Sequence, residues 1–270
     1  MYDGKNEFCA CDGASTLEKS IVGANAVSLG VFSQEIEIMD NEKRKEFLAI
    51  QAEVKELADR IILLTEKDEE LKSLYRGTTI YFSPIQENPD IMFLGINPGA
   101  GHYNHTNNTP IYNFEPLEEM EYLFQEYNLA NDWQYVFGEK NLNCIGVLEW
   151  AFKTNCFYIA TDDSKKLKRF IQLSGKYLKN EIIEKSKGWT IRMIKLISPK
   201  ILICEGFAAF DYLKNFLGDE LVICDEESKQ AGENCKCARF RNIVVFGFKR
   251  DVSSRFKDIE IVIDKIDEYL

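Results

Sequence analysis

Apolar residues first recur at helical spacing: within EIEIMDNEKRKEFLAIQAEVKELADRIILLTEKDEELKSLY, positions Phe47, Leu48, Ile50, Val54, Leu57, Ile61 and Leu64 mark one face of a long helix ending near Tyr75. The period then changes. A short strand is predicted from Thr79 to Phe82, a Pro/Asn turn follows, and Ile91 to Leu94 form an unbroken apolar run. PLEEMEYLFQEYNLA returns to helical spacing, with Leu117, Met120, Leu123, Phe124 and Tyr127 on one face. Beyond it the pattern predicts a helix from Ile145 to Phe152, a strand in TNCFYIAT, and helices over Ser164 to Leu173 and Lys176 to Ile197. PKILIC and NIVVFGF read as buried strands, AAFDYLKNFL as the helix after the first of them, and DIEIVIDKIDEYL as a closing helix.

Strands that are apolar throughout, each followed by a helix, predict a parallel sheet covered on both faces. The expected fold class is α/β, a three-layer α/β/α sandwich around a central, mostly parallel sheet. The simplest division is an N-terminal helical extension over residues 1–76 and an α/β domain over 77–270. Ligands of such sheets bind beyond the carboxyl ends of the strands, where the loops after Leu94 and Phe248 fall.

At 270 residues and 45% hydrophobic content the chain can fill a core. No window offers the roughly 18 uninterrupted apolar residues of a membrane helix, and the first residues do not form a signal peptide, so a cytoplasmic protein is expected. The net charge of −11 is unevenly spread: Met1 to Trp150 hold 11 Lys/Arg against 26 Asp/Glu, and Ala151 to Leu270 hold 22 against 18. The acidic run is read as the solvated face of the long helix, and the basic second half leaves a nucleic-acid partner open.

Eight cysteines include no C-x-x-C, the usual zinc or iron–sulfur half-site. Cys144, Cys156, Cys204 and Cys224 lie in or beside apolar segments and read as core filling in a reducing compartment. The pairs Cys9/Cys11 and Cys235/Cys237 are a weak route to a four-cysteine site, and His102 and His105 read as a solvated polar loop. No metal and no cofactor is expected.

The stretch IMFLGINPGAGHYN drives a buried strand into Gly95, Pro98 and Gly99, a rigid loop nearly free of side chains and edged by Asn97. LGINPG, the pair Thr154 and Asn155, and SPKILICEGFAAFDYL together resemble the uracil-DNA glycosylase superfamily over roughly Pro89 to the C-terminus. The first motif is most similar to that of the mismatch-specific uracil/thymine DNA glycosylases. The resemblance implies a metal-free DNA glycosylase that flips a nucleotide out of DNA and hydrolyses the N-glycosidic bond of uracil or a related altered base. In that reading Gly95, Pro98 and Gly99 bring bare backbone to the nucleotide. Asn97 positions the attacking water, and Asn155 reads the base edge with one donor and one acceptor.

An aromatic should stack on the flipped base; Tyr112 and Phe114 are favoured over Tyr103. The chain departs from the family in its last motif: GFKRDVSSRF stands where His-Pro-Ser or Asn-Pro-Ser is usual. Lys249 or Arg250 could supply positive charge to the departing base, and Ser253, Ser254 and Arg255 could hold phosphates. The lost motif also fits a second reading, a non-catalytic module of the same fold that binds nucleic acid or a nucleotide.

Overall fold

The computed structural model describes residues 41–99, 109–121, 133–134, 144–224, 233–250, 262–264, 266 and 269. All of these belong to one compact unit, Asp40–Leu270. Helix α1 (Asn41–Thr65) is therefore part of the α/β unit rather than of an extension ending at residue 76, and its sequence gives the reason. Phe47, Ile50, Val54, Leu57, Ala58 and Ile61 are all buried, and each of the larger ones, Phe47, Ile50, Val54, Leu57 and Ile61, contributes about 1.5–3 kcal/mol to docking the helix. Its acidic face is not wholly solvated either. Glu46 and Glu53 pair with Arg192 at 2.5 and 2.8 Å, Glu53 accepts from Trp189 Nε1 at 2.7 Å, and Arg60 holds Glu181. Part of the frontal acid thus joins α1 to a later helix.

Short helix α2 (Glu69–Leu74) is capped by Asp68, whose carboxylate accepts from two backbone N–H groups. Strand β1 (Gly77–Thr79) ends earlier than expected, although backbone bonding to neighbouring segments continues: Ile80 N donates to Asn113 O, and Phe82 N to Lys153 O. β1 pairs in parallel with β3 (Ile111–Asn113) and antiparallel with β5 (Ile159–Ala160) in a small three-stranded sheet.

The main sheet has six strands in the order β4 (Phe152–Asn155), β2 (Ile91–Gly95), β6 (Ile201–Cys204), β9 (Ile243–Phe248), β8 (Cys235–Phe240), β7 (Leu221–Ile223). The first four are parallel, and the last two add an antiparallel edge. TNCFYIAT is two strands, one in each sheet, because the chain leaves the main sheet after Asn155 and re-enters the small one at Ile159. β7 and β8 mix buried with exposed or half-buried positions, and their weaker pattern was not visible as strands. Leu117 and Met120 lie outside any helix, a 3₁₀ conformation being described only from Glu121; Leu123, Phe124 and Tyr127 lie outside the described residues.

Helices α4 (Ser164–Leu173) and α5 (Gly175–Ile197) match their predicted spans closely, α4 starting at its Asp163 cap. α5 stops at Ser198 in the left-handed region, just before Pro199. Helix α6 (Phe207–Leu217) lies on one face of the sheet, so close that a Cβ on Gly247 would come within 2.8 Å of Phe210. On the other face Phe93, Ile203 and Phe246 join Met120, Trp133, Leu148 of α3 (Cys144–Glu149), and Val262, Ile263 and Ile266. Helical residues therefore cover both faces of a mostly parallel sheet. No helix among the described residues is long and apolar enough to cross a membrane.

The chain leaves β2 toward β4 on one side, whereas β6 lies on the other and its chain continues toward β9. Adjacent strands whose connections diverge open a crevice at their carboxyl ends. The crevice opens beside Gly95 and Glu205.

Candidate functional site

A cleft of about 610 Å³ occupies that position. Its floor is a row across three strands. Gly95 at the end of β2 pairs with Asn155 at the end of β4, and on the other side Glu205 N donates to Leu94 O at 2.9 Å. Asn155 and Glu205 therefore flank a residue with no side chain, and both lean over it. A Cβ on Gly95 would sit 2.1 Å from Asn155 Oδ1 and 3.1 Å from Glu205 Oε2. The glycine is required at this position by the two polar side chains that fill its space. A Cβ at Gly99 would meet nothing among the described residues.

Two residues beyond Gly95 the chain turns, and Asn97 is fixed by its amide nitrogen. Nδ2 donates to Pro98 O at 2.9 Å, Thr161 Oγ1 at 3.0 Å and Ile159 O at 3.3 Å. The Thr161 hydroxyl in turn donates to Asp163 O, at the cap of α4. With Nδ2 committed, Oδ1 is the end left to accept from a water or ligand in the cleft. Asp162, beside this chain of bonds, is anchored by Arg76 at 2.8 and 3.3 Å and by Lys166. Burial acts to raise the Asp162 carboxyl, but the hydrogen bonds from Arg76 and Lys166 outweigh it and hold it below the usual carboxylate range.

The cleft also contains a buried charge cluster. Lys153 Nζ lies 2.5 Å from Glu205 Oε1 and 3.0 Å from Glu121 Oε1, with the Lys153 and Glu205 side chains 6% and 5% exposed. Burial pushes the lysine below and Glu205 above their ordinary ranges, and the Arg250 charge opposes the rise at Glu205. Neither Lys153 nor Glu205 stood out from the sequence. The available signal was a charge inside an apolar strand, FKTN, and an acid directly closing the apolar run ILIC. Both are costly unless partnered, and the partner is distant in the chain.

The structure brings Gly95, Asn97, Pro98, Gly99, Asn155, Lys249 and Arg250 to one cleft. Asn155 is 4% exposed and its amide has no hydrogen-bond partner among the described residues, whereas Thr154 is turned away and donates to Ile80 O. Tyr112 and Phe114 do not line the cleft. Tyr112 lies on β3 with its ring 6.2 Å from Tyr75, and Phe114 O accepts from Gln51, because β3 joins the small sheet rather than the main one. Among the described residues the aromatics at the cleft are Phe82 and Phe207. Phe82 is held there by its backbone bonds to Lys153 and Glu121, and Phe207 by its place at the start of α6.

Arg250 extends over Gly206, where a Cβ would meet its side chain at 3.2 Å, and both Lys249 and Arg250 are exposed. Ser253, Ser254, Arg255, Tyr103, His102, His105, Cys9 and Cys11 lie outside the described residues. Cys235 and Cys237 are buried in the core against β9. Compared with protein-family models the chain matches none, and a search of curated proteins returns no match.

Proposed function

We propose that the protein is a monofunctional DNA glycosylase of the uracil-DNA glycosylase superfamily, hydrolysing the N-glycosidic bond of uracil or a related altered base in DNA. The observation that carries this reading is the geometry of Asn97: three acceptors fix its amide nitrogen and leave its oxygen as the group that orients water. A flipped nucleotide would lie against the bare backbone from Gly95 to Gly99, with Asn155 at the base edge and Phe82 or Phe207 against its face.

Bond cleavage in this site would begin with departure of the base and build an oxocarbenium-like sugar. Water held by Asn97 Oδ1 adds to that cation. An amide orients water but accepts its proton poorly, so the reaction is slow and depends on how well the departing base is stabilised. Lys249 and Arg250, at the rim, would supply that stabilisation and contact the backbone phosphates.

The second reading, a module that binds a nucleotide without cutting it, is favoured by the acids in the lining, Glu121, Asp162, Asp163 and Glu205, which oppose a polyanion. The deciding experiment incubates wild type and Asn97→Ala with oligonucleotides carrying uracil opposite guanine, opposite adenine and in a single strand, followed by alkali. Strand breaks with wild type and none with the variant are expected. No breaks with either over hours at enzyme excess would remove uracil excision and leave the binding module or another base.

A further inference from the structure

Helix α4 starts at the cleft, since Asp162, Asp163 and Ser164 belong to its lining, and its ten residues span about 15 Å at 1.5 Å per residue. In a chain of net charge −11, Ser164 to Asn180 hold six Lys/Arg and no Asp/Glu. Two of the six are engaged: Lys166 holds Asp162, and Arg169 holds Glu70. Lys165, Lys168 and Lys176 are exposed and have no acid partner among the described residues. Helical spacing puts Lys165, Lys168 and Gln172 on one face of α4, turned away from the buried Leu167, Phe170 and Ile171. Beyond that face the first turn of α5 adds Lys176 and Tyr177, whose ring is 90% exposed.

Nothing in the fold accounts for this combination. Like charges at helical spacing repel, and an aromatic ring left in water packs no core. The ligand that answers both has regularly spaced negative charge and flat apolar faces open to stacking, which is single-stranded nucleic acid. A duplex offers the charge but keeps its base faces stacked inside. The acids of the cleft lining, which oppose a polyanion, are engaged on this side: Asp162 is paired with Arg76 and Lys166, and the Asp163 carboxylate accepts from two N–H groups of α4. We propose that the outer face of α4, with Lys176 and Tyr177 beyond it, is a track for the unpaired strand that flanks the nucleotide in the cleft. This rests on the reading of the cleft as a nucleotide site and names the form of DNA presented to it. The lysines meet phosphates and Tyr177 stacks on a base, over no more than about five nucleotides at 3.4 Å each.

Fluorescence anisotropy of the full chain with a labelled thymidine oligonucleotide of about ten nucleotides, twice the length of the track, tests this without any bond being broken. Each lysine–phosphate contact on a single strand adds about 0.7 to the slope of log affinity against log salt, so Lys165→Gln, Lys168→Gln and Lys176→Gln combined should flatten that slope by about 2. Tyr177→Ala should weaken binding about 5- to 150-fold, the amount one stacked base supplies, and leave the slope unchanged. A duplex of the same sequence should bind less tightly than the single strand and lose nothing on Tyr177→Ala. All four side chains are exposed, so both variants should keep the wild-type far-ultraviolet spectrum.

An unchanged slope in the triple variant, unchanged affinity in Tyr177→Ala, tighter binding of the duplex, or no binding of the single strand by the wild type at low salt overturns the track. The wild-type comparison of single strand with duplex decides even if a variant fails to fold. Abasic product from single-stranded uracil, made by a triple variant that binds as the wild type does, keeps the glycosylase and removes the track. A flattened slope with no abasic product from any substrate keeps the track and removes the glycosylase.

Discussion

Lys153 and Glu205 meet at 2.5 Å across the intervening strand β2, tying the carboxyl ends of β4 and β6 together beneath the cleft. The pair lies out of water, and removing one partner leaves the other charge uncompensated. Lys153→Ala should therefore lower the stability of the chain by about 3–5 kcal/mol in urea unfolding at pH 7. Lys153→Met combined with Glu205→Gln should cost less than Lys153→Ala alone, since neither buried charge of the pair then remains. A double variant weaker than the single one would contradict the pairing.

Asn97→Asp should not create a faster enzyme. The substitution puts a carboxylate oxygen where Nδ2 now donates to the carbonyls of Pro98 and Ile159, converting two attractions into repulsions. The expected outcome is a loss of about 1–3 kcal/mol in thermal unfolding and no rise in abasic-site formation. Asn97→Ala, which adds no repulsion, should abolish product with a smaller effect on stability.

Gly95→Ala separates folding from recognition. The added methyl occupies the place of Asn155 Oδ1, so Asn155 must swing out of the row while the strand backbone can remain. A cost of about 1–3 kcal/mol in stability is expected, together with loss of nucleotide binding by calorimetry. Unchanged binding would show that Asn155 is not at the base edge.

The Arg76–Asp162 pair predicts a pH dependence. Asp162 titrates below its ordinary range in the folded chain, so the pair's stabilisation is complete above about pH 4, the unfolded value, and is lost as pH falls through the lower folded value. Arg76→Ala should therefore cost about 1–3 kcal/mol at pH 7 and progressively less in urea unfolding below pH 4. A difference that is constant from pH 7 to pH 3 would contradict this.

Local pattern carried much of the fold. The apolar runs at Ile91, Ile201 and Ile243 became neighbouring parallel strands because a strand buried on both faces is apolar at every position, and a short run bounded by Gly and Pro leaves little alternative. α4 and α5 were legible because caps and breakers stand at their ends, Asp163 before one and Pro199 after the other. β7, β8 and β3 were missed because each is short and its partner, not its own sequence, makes it a strand.

By itself the sequence determined that a strand would end in a bare loop with Asn97 at its edge, since backbone rules and hydrophobic pattern act over a few residues, whereas Asn155, read as opening a strand, closes one instead. Tertiary structure alone decided which groups share the cleft. It placed Asn155 and Glu205 on opposite sides of Gly95, bound Asn97 to Thr161, put Phe82 and Phe207 rather than Tyr112 and Phe114 in the cleft lining, and joined Lys153 to Glu205. Those choices follow from strand order and register, which hydrogen bonds between distant segments select and which no local pattern encodes.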